Sequence, residues 1–163
     1  MAVTTDRPSS ATANPTLVES SVSATIHAPI EKVDVAAWCY SMPDSEYQAC
    51  SPAHVAAGAT ATPDGRRMSL NVEVIGGSMI VQHYVEEIGE PDHLRLVSHS
   101  DLFTPAGRTK IDVVWDLEVR RIDDATCELT NAHRARWLTL GGNFLRARPE
   151  VDRDERHHDA RSR

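Results

Sequence analysis

Four polar residues stand where alternating hydropathy sets them among apolar neighbours. His83 lies in step with Met79, Val81 and Val85, and His133 in step with Leu129, Ala135 and Trp137. Polar groups aimed into an apolar interior cost about 1–3 kcal/mol each unless they are paired. A register drawn through the turns lines such residues up. With Gly76-Gly77 as a hairpin tip, Leu70 faces His83; with Gly89 to Asp92 as the next turn, His83 faces Ser98. A slightly offset turn at Pro105 to Gly107 sets Ser98 beside Trp115, and a turn centred on Asp124 sets Trp115 beside His133. The turn centres are chosen so that dry faces match, because a slip of one residue flips every side chain. The expected row is Leu70, His83, Ser98, Trp115 and His133, with Asn131 two residues along from His133. Its imidazoles are three strand spacings apart, roughly 14 Å, too far to share a proton but placed to bracket a ligand. Taken singly, a histidine on such a face is more often a satisfied core residue, and Ser98 or Asn131 can simply bond a neighbouring backbone. It is the row as a whole that points to a hollow holding water and a ligand.

Other chemistry finds less support. No HxH or HExxH spacing occurs, and His157-His158 sits in a charged run where adjacent histidines on a helix point apart. Neither a metal nor another cofactor is expected. Ser21, Ser45 and Ser51 lack the strand–turn–helix setting of a nucleophile elbow. Cys39, Cys50 and Cys127 are odd in number and form no CxxC, so they read as ordinary thiols in a reducing cytoplasm.

The elements that would position the row follow from periodicity. Residues 1 to about 16 are rich in Ala, Thr, Ser and Pro and read as a disordered leader. From Leu17 to Ala28 a half-buried strand is expected, with Val22, Ala24 and Ile26 on one face. Pro29 then opens a helix running to Met42 that buries Val33, Ala37, Trp38 and Tyr40. Pro43-Asp44 breaks it, and Asp44 or Ser45 caps a second short helix ending at Cys50. From His54 the period is two, interrupted by turn signals at Pro63 to Gly65, Gly76-Gly77, Gly89 to Asp92, Pro105 to Gly107 and Asp123-Asp124. Met68, Leu70, Val72 and Val74 are expected on a dry face, opposite Ser69, Asn71 and Glu73. Ile111, Val113, Trp115, Leu117 and Val119 form another. One wet and one dry face per strand is the mark of an antiparallel meander covered on a single side. The ligand-binding domain is expected over 17–148, its end marked by Asn143 capping a short helix that Pro149 interrupts. A charged tail follows over 149–163.

Composition bounds the class. The chain has 163 residues, 40% hydrophobic and 25% charged, enough for one domain with a real core. Its net charge of −7 argues against nucleic acid and anionic membranes as partners. No long apolar run could span a bilayer, and Asp6, Arg7 and Pro8 stand where a signal peptide needs apolar residues. Of 17 basic residues only Lys32 and Lys110 are lysines, a bias that fits a GC-rich bacterial genome.

Strand, two short helices, meander and C-terminal helix is an α+β order. With Ser23-Ala-Thr-Ile-His-Ala-Pro29, Val33, Trp38, Pro43-Asp-Ser-Glu-Tyr47, Val113-Val-Trp-Asp-Leu117 and Thr126-Cys-Glu-Leu-Thr-Asn131, the sequence resembles the START-like superfamily, which includes Bet v 1-type proteins and polyketide cyclase/dehydrases. The resemblance covers about Val18 to Leu138. It implies a helix-grip fold whose curved sheet and C-terminal helix enclose an apolar or aromatic small molecule. Two departures stand out: Asp34 follows Val33 where the family commonly has an aromatic, and a short charged tail replaces the long amphipathic C-terminal helix. The mouth would then be closed by a short helix or by a second protomer in a homodimer, or be left open.

A cyclase of this family folds a poly-β-carbonyl chain so that an α-carbon meets a ketone. On that analogy His83 and His133 would serve as general base and acid. Asn131 and Ser98 would donate to substrate oxygens. Trp115, Trp38 and Tyr47 would line the pocket. The competing readings are a carrier that uses the same wall without turnover, and a regulatory or structural module whose histidines are core residues.

Overall fold

A computed structural model describes residues 16–137. The expected leader, the C-terminal helix, the charged tail and His157-His158 lie outside the described residues, apart from the last residue of the leader. The chain runs as β1 (Thr16–Ile26), a 3-10 turn (Ile30–Lys32), α1 (Val35–Ser41), α2 (Asp44–Cys50), β2 (His54–Ala61), β3 (Arg67–Ile75), β4 (Ser78–Glu90), β5 (His93–Thr104), β6 (Gly107–Arg121) and β7 (Cys127–Trp137). The seven strands form one antiparallel sheet in the order β1-β7-β6-β5-β4-β3-β2. The expected turns all occur where the Gly, Pro and Asp clusters stand. Gly76 and Gly77 close the β3–β4 hairpin at φ of 58° and 80°, a conformation that disfavours side chains with a Cβ.

The first helix differs from expectation. Pro29 starts only the 3-10 turn, and α1 begins after Asp34, whose carboxylate accepts the Ala37 N–H at 2.7 Å. A capping oxygen satisfies an otherwise orphaned amide, which proline cannot do. The shifted start also changes which residues face the sheet: Val35 and Ala36 are buried, while Trp38 is 45% exposed. In α2, Pro43 holds the N-cap position without a side-chain bond, and Asp44 instead accepts the Ala57 N–H at 2.7 Å, tying the helix to β2.

The helices lie on one face of the sheet, here termed the inner face. Beneath them Leu94, Leu96, Ile111, Val113, Leu117, Val119 and Cys127 form the apolar core with Val35, Ala36 and Tyr84. A fully buried side chain of this size contributes about 1.5–3 kcal/mol.

The β6–β7 register agrees with the sequence: Trp115 pairs with His133 and Leu117 with Asn131. The β5–β6 register is two residues from the expected one, Trp115 pairing with Leu96 and Ser98 with Val113, an even offset that keeps Ser98 on the same face as Trp115. The β2–β4 half is inverted. Glu90 pairs with His93, but between Glu86 and Ile88 the ladder takes in an extra residue, so that Val85 pairs with Val97 and Val81 with Asp101. In that register His83 stands opposite the position of His99, not Ser98. Leu70 does pair with His83 as expected, but both point to the outer face. The inner face of β3 carries Ser69 and Asn71, both buried, and Glu73, whereas Met68, Leu70, Val72 and Val74 lie outside. An odd-residue slip exchanges the faces of every strand beyond it.

The Asp34 cap makes a direct prediction. Asp34→Ala should lower stability by ~1 kcal/mol, read as a reduced midpoint in urea unfolding. An unchanged midpoint would mean that the cap is dispensable.

Candidate functional site

The inner face is polar on its β3–β4 side and apolar to aromatic on its β6–β7 side. α2 brings Tyr47 over β3, where its hydroxyl donates to Glu73 Oε1 at 2.9 Å. The start of β2 brings His54 against the same pair. Its ring stacks on Tyr47 at 4.0 Å between centroids and 5° between planes, and its Nε2 lies 4.0 Å from Glu73 Oε1. His54 Nδ1 is 2.8 Å from the Tyr47 carbonyl oxygen. A carbonyl only accepts, so Nδ1 carries the proton, and Nε2 is the nitrogen free to exchange one. Burial, followed by the neighbouring Glu73 charge, pushes the Tyr47 phenol up from its ordinary value. Tyr47 therefore stays protonated and donates. Tyr47, Glu73 and His54 together make an acid–base group.

Across the sheet Trp115 Nε1 donates to Asn131 Oδ1 at 2.9 Å. An indole N–H cannot accept, so this bond orients the amide and leaves the Asn131 N–H groups as the end available to a ligand. Trp115 stacks on His133 at 5.5 Å and 17° and meets Tyr84 at 5.8 Å and 56°. Burial holds the His133 imidazole below its ordinary value, with Glu73 partly opposing the shift. At neutral pH this ring is uncharged.

Between these groups a hollow of about 30 Å³ is lined by Tyr40, Tyr47, Ser69, Asn71, Cys39 and Trp115, among others. That is room for a water or two, or for the polar tip of a larger molecule. The Cys39 thiol beside it is pushed up to about 11, mainly by burial, so it is no nucleophile at neutral pH. Gln82 Oε1 is buried without a partner among the described residues, and Tyr40 Oη, also without an aligned hydrogen bond, has the Glu86 carboxylate as its neighbour. Gln82 spends its N–H on the Tyr84 hydroxyl at 3.0 Å. Glu86 Oε2 lies 2.7 Å from Arg67 Nη2, an ion pair without hydrogen-bond alignment. Gly89 leaves room for it, since a Cβ there would collide with the Glu86 carboxyl group.

Of the residues singled out in the sequence, Tyr47, Ser98, Trp115, Asn131 and His133 share the inner face. Ser98 is already committed: its Oγ accepts the His83 N–H at 2.7 Å and the Ser100 hydroxyl at 3.0 Å, so it fills a gap in the β4–β5 ladder. His83 and Leu70 are on the outer face and Trp38 faces away from the sheet, so none of the three touches the hollow. Glu73, Asn71, Gln82 and Tyr84 were not anticipated, because their strands were given the opposite facing. His54 stands alone at a strand start and carries no periodic signal. Among the described residues no group of three or more His, Cys, Asp or Glu is arranged to hold a metal ion. No described helix is long and apolar enough to cross a membrane.

A START superfamily protein from Mycobacterium smegmatis superposes with a TM-score of 0.51 at 14% identity, over 76% of this chain and 81% of that one. The fold is START-like. A conserved protein from Geobacillus kaustophilus is also similar, with a TM-score of 0.48 at 14% identity over 74% of this chain and 75% of that one. No protein-family model and no curated protein matches the sequence. In this START-like chain the helix-grip order expected from the sequence holds from β1 to β7.

The His133 shift has a consequence for stability. A folded-state value below the unfolded 6.5 means that the unfolded chain binds more protons as pH falls. The contribution is fully present above 6.5 and is lost as pH drops toward the depressed folded value. Thermal melts at pH 7.5 and pH 5 should therefore show a smaller acid loss for His133→Gln than for the wild type. Equal losses would contradict a desolvated ring.

Proposed function

We propose that the chain binds a small, largely apolar or aromatic molecule carrying a hydroxyl or carbonyl group against the inner face of its sheet. The unpaired polarity of that face carries this reading. Gln82 Oε1 is buried without a partner, at a cost of about 1–3 kcal/mol that an apolar side chain would avoid, and Tyr40 Oη lacks an aligned bond to its neighbour Glu86. A ligand hydroxyl, or the water it displaces, can donate to Gln82 Oε1, while a ligand carbonyl can accept only from Tyr40 Oη. The hollow beside Tyr47 and Asn71 takes the polar tip, and the ligand body lies along Trp115, His133 and the inner residues of β1, where Val22 is 65% exposed. Aromatic faces and a fixed amide suit a planar oxygenated ligand.

A second reading, cyclisation with dehydration of a β-polyketone, is favoured by one observation. The Tyr47–Glu73–His54 group sits close enough to His133 for the Glu73 charge to act on that imidazole. Glu73 or neutral His133 would take the α-proton, and the Asn131 N–H groups would hold the enolate oxygen.

Binding is tested with 1-naphthol, followed by quenching of tryptophan fluorescence. Saturable binding is expected, weakened about tenfold by Asn131→Leu and unchanged by His83→Gln, which lies on the outer face. Equal loss in both variants, or no saturation, would overturn the binding site. Turnover is tested with heptane-2,4,6-trione, whose C1–C6 closure and loss of one water give orcinol. The expected result is accelerated orcinol release that falls about 100-fold in Glu73→Gln while 1-naphthol affinity stays. Binding without acceleration leaves the carrier function and removes the catalytic one.

A further inference from the structure

The outer face of the sheet is divided. Toward β1 it is charged and paired across strands, by Arg95 with Asp116, Arg120 with Glu128 and Arg134 with Glu19. On β3 and β4 the same face is largely apolar, carrying Leu70, Val72, Val74, Met79, Val81 and Val85 around His83, while β5 adds Val97 and Phe103 between the ion-paired Arg95, His99 and Asp101. The 3-10 turn and both helices pack on the opposite side, so among the described residues no helix covers this half. Val74 is 44% and Met79 38% exposed. A solvated sheet face normally alternates to polar residues, as the other half does.

We propose that the chain forms a homodimer by packing the outer face of β2–β5 against the same face of a second copy. Three observations favour a second copy over another occupant. The first is area. Four strands about 4.8 Å apart, overlapping over about eight residues of about 3.3 Å, present roughly 500 Å², so two copies bury at least about 1,000 Å², the size at which a specific interface becomes stable. The second is relief. The outward residues of β2 are Ala56, Gly58 and Thr60, and nothing lies within 4 Å of a Cβ placed on Gly58. Another sheet can therefore approach to the ~10 Å of a β-sandwich. The third is charge. Arg66 and Glu87 flank a hollow of about 400 Å³ on this face, lined also by His83, Val85, Val97 and His99. Arg66 uses Nε on Asp64, leaving its terminal nitrogens, and Glu87 uses Oε2 on Arg95, leaving Oε1. About a two-fold axis along the strands, Arg66 of each copy meets Glu87 of the other, the self-complementarity that an isologous contact requires. An anionic membrane would meet Glu87 and the net charge of −7 instead.

This inference concerns the face away from the ligand site, so it stands or falls independently of the function proposed above. Sedimentation velocity of the full chain across the micromolar range should give a species of twice 18.0 kDa. Leu70→Glu should raise the dimer dissociation constant at least about 100-fold, and Ser21→Lys, on the charged half, should not. A wild-type readout guards against misfolding of the variant: peroxide oxidation of Met79, relative to Met42 beside α1, should slow as the protein is concentrated. A monomer at every concentration, a dimer indifferent to Leu70→Glu, or Met79 oxidation independent of concentration would each overturn the proposal.

Discussion

Between Glu86 and Ile88 the β4–β5 ladder shifts by one residue, and the chemistry of both faces depends on that shift. Side chains alternate with a period of two, so an odd offset at one strand junction reverses the facing of every strand beyond it. Here the reversal turns Glu73, Asn71, Gln82 and Tyr84 toward the helices and sends Leu70, Val72 and His83 outside. The ladder also opens further along, between Val81 and Val85, without a change of register. There Ser98 takes the His83 amide with its side chain, and Ser100 bonds Ser98 in turn, both serines being fully buried. Buried backbone amides must find a partner, and here the Ser98 hydroxyl is that partner where the strands part, itself held by the Ser100 hydroxyl.

The inner face then combines two environments. Over β6 and β7 the aromatic wall of Trp115 and His133 and the core beneath it supply apolar contact. Over β3 and β4 two carboxylates (Glu73 and Glu86), three phenols and two amides are packed with few waters' worth of space. Low polarity around Glu73 strengthens each of its interactions, which is why Tyr47, Tyr84 and His133 all respond to its charge. Such a cluster is expensive to keep in a protein that needs only a core. Fold alone does not assign the function, since START-like architecture says where a site can be rather than what it does.

The outer face completes the same geometry. Polar side chains turned inward leave apolar ones turned outward, because β3 alternates the two kinds and β4 turns Gln82 and Glu86 inward while Met79, Val81 and Val85 point out. A binding interior and an apolar exterior on the β2 side are two results of one register. On the β1 side no such exchange occurs, and the outer face there is a lattice of ion pairs that contribute little stability individually.

The sequence by itself determined the order of the elements, the five turns, the pairing of Leu70 with His83 and of Trp115 with His133, and the α+β class. These follow from local signals: glycines and prolines mark turns, and alternation shows which residues of a strand share a side. It also marked Tyr47, Trp115, Asn131 and His133 for the inner face. Only the tertiary structure decided that Glu73 and His54 join them and that His83 does not. The reason is parity. Within a strand, alternation relates neighbours but leaves the choice of side open, and β3 offers an apolar set and a polar set with equal regularity. That choice passes from strand to strand through the ladder, where one extra residue in β4, unmarked by glycine or proline at Glu86 to Ile88, reverses it. The start of α1 was settled in the same way, by the position from which the Asp34 carboxylate reaches an amide once Val35 and Ala36 are packed on the sheet.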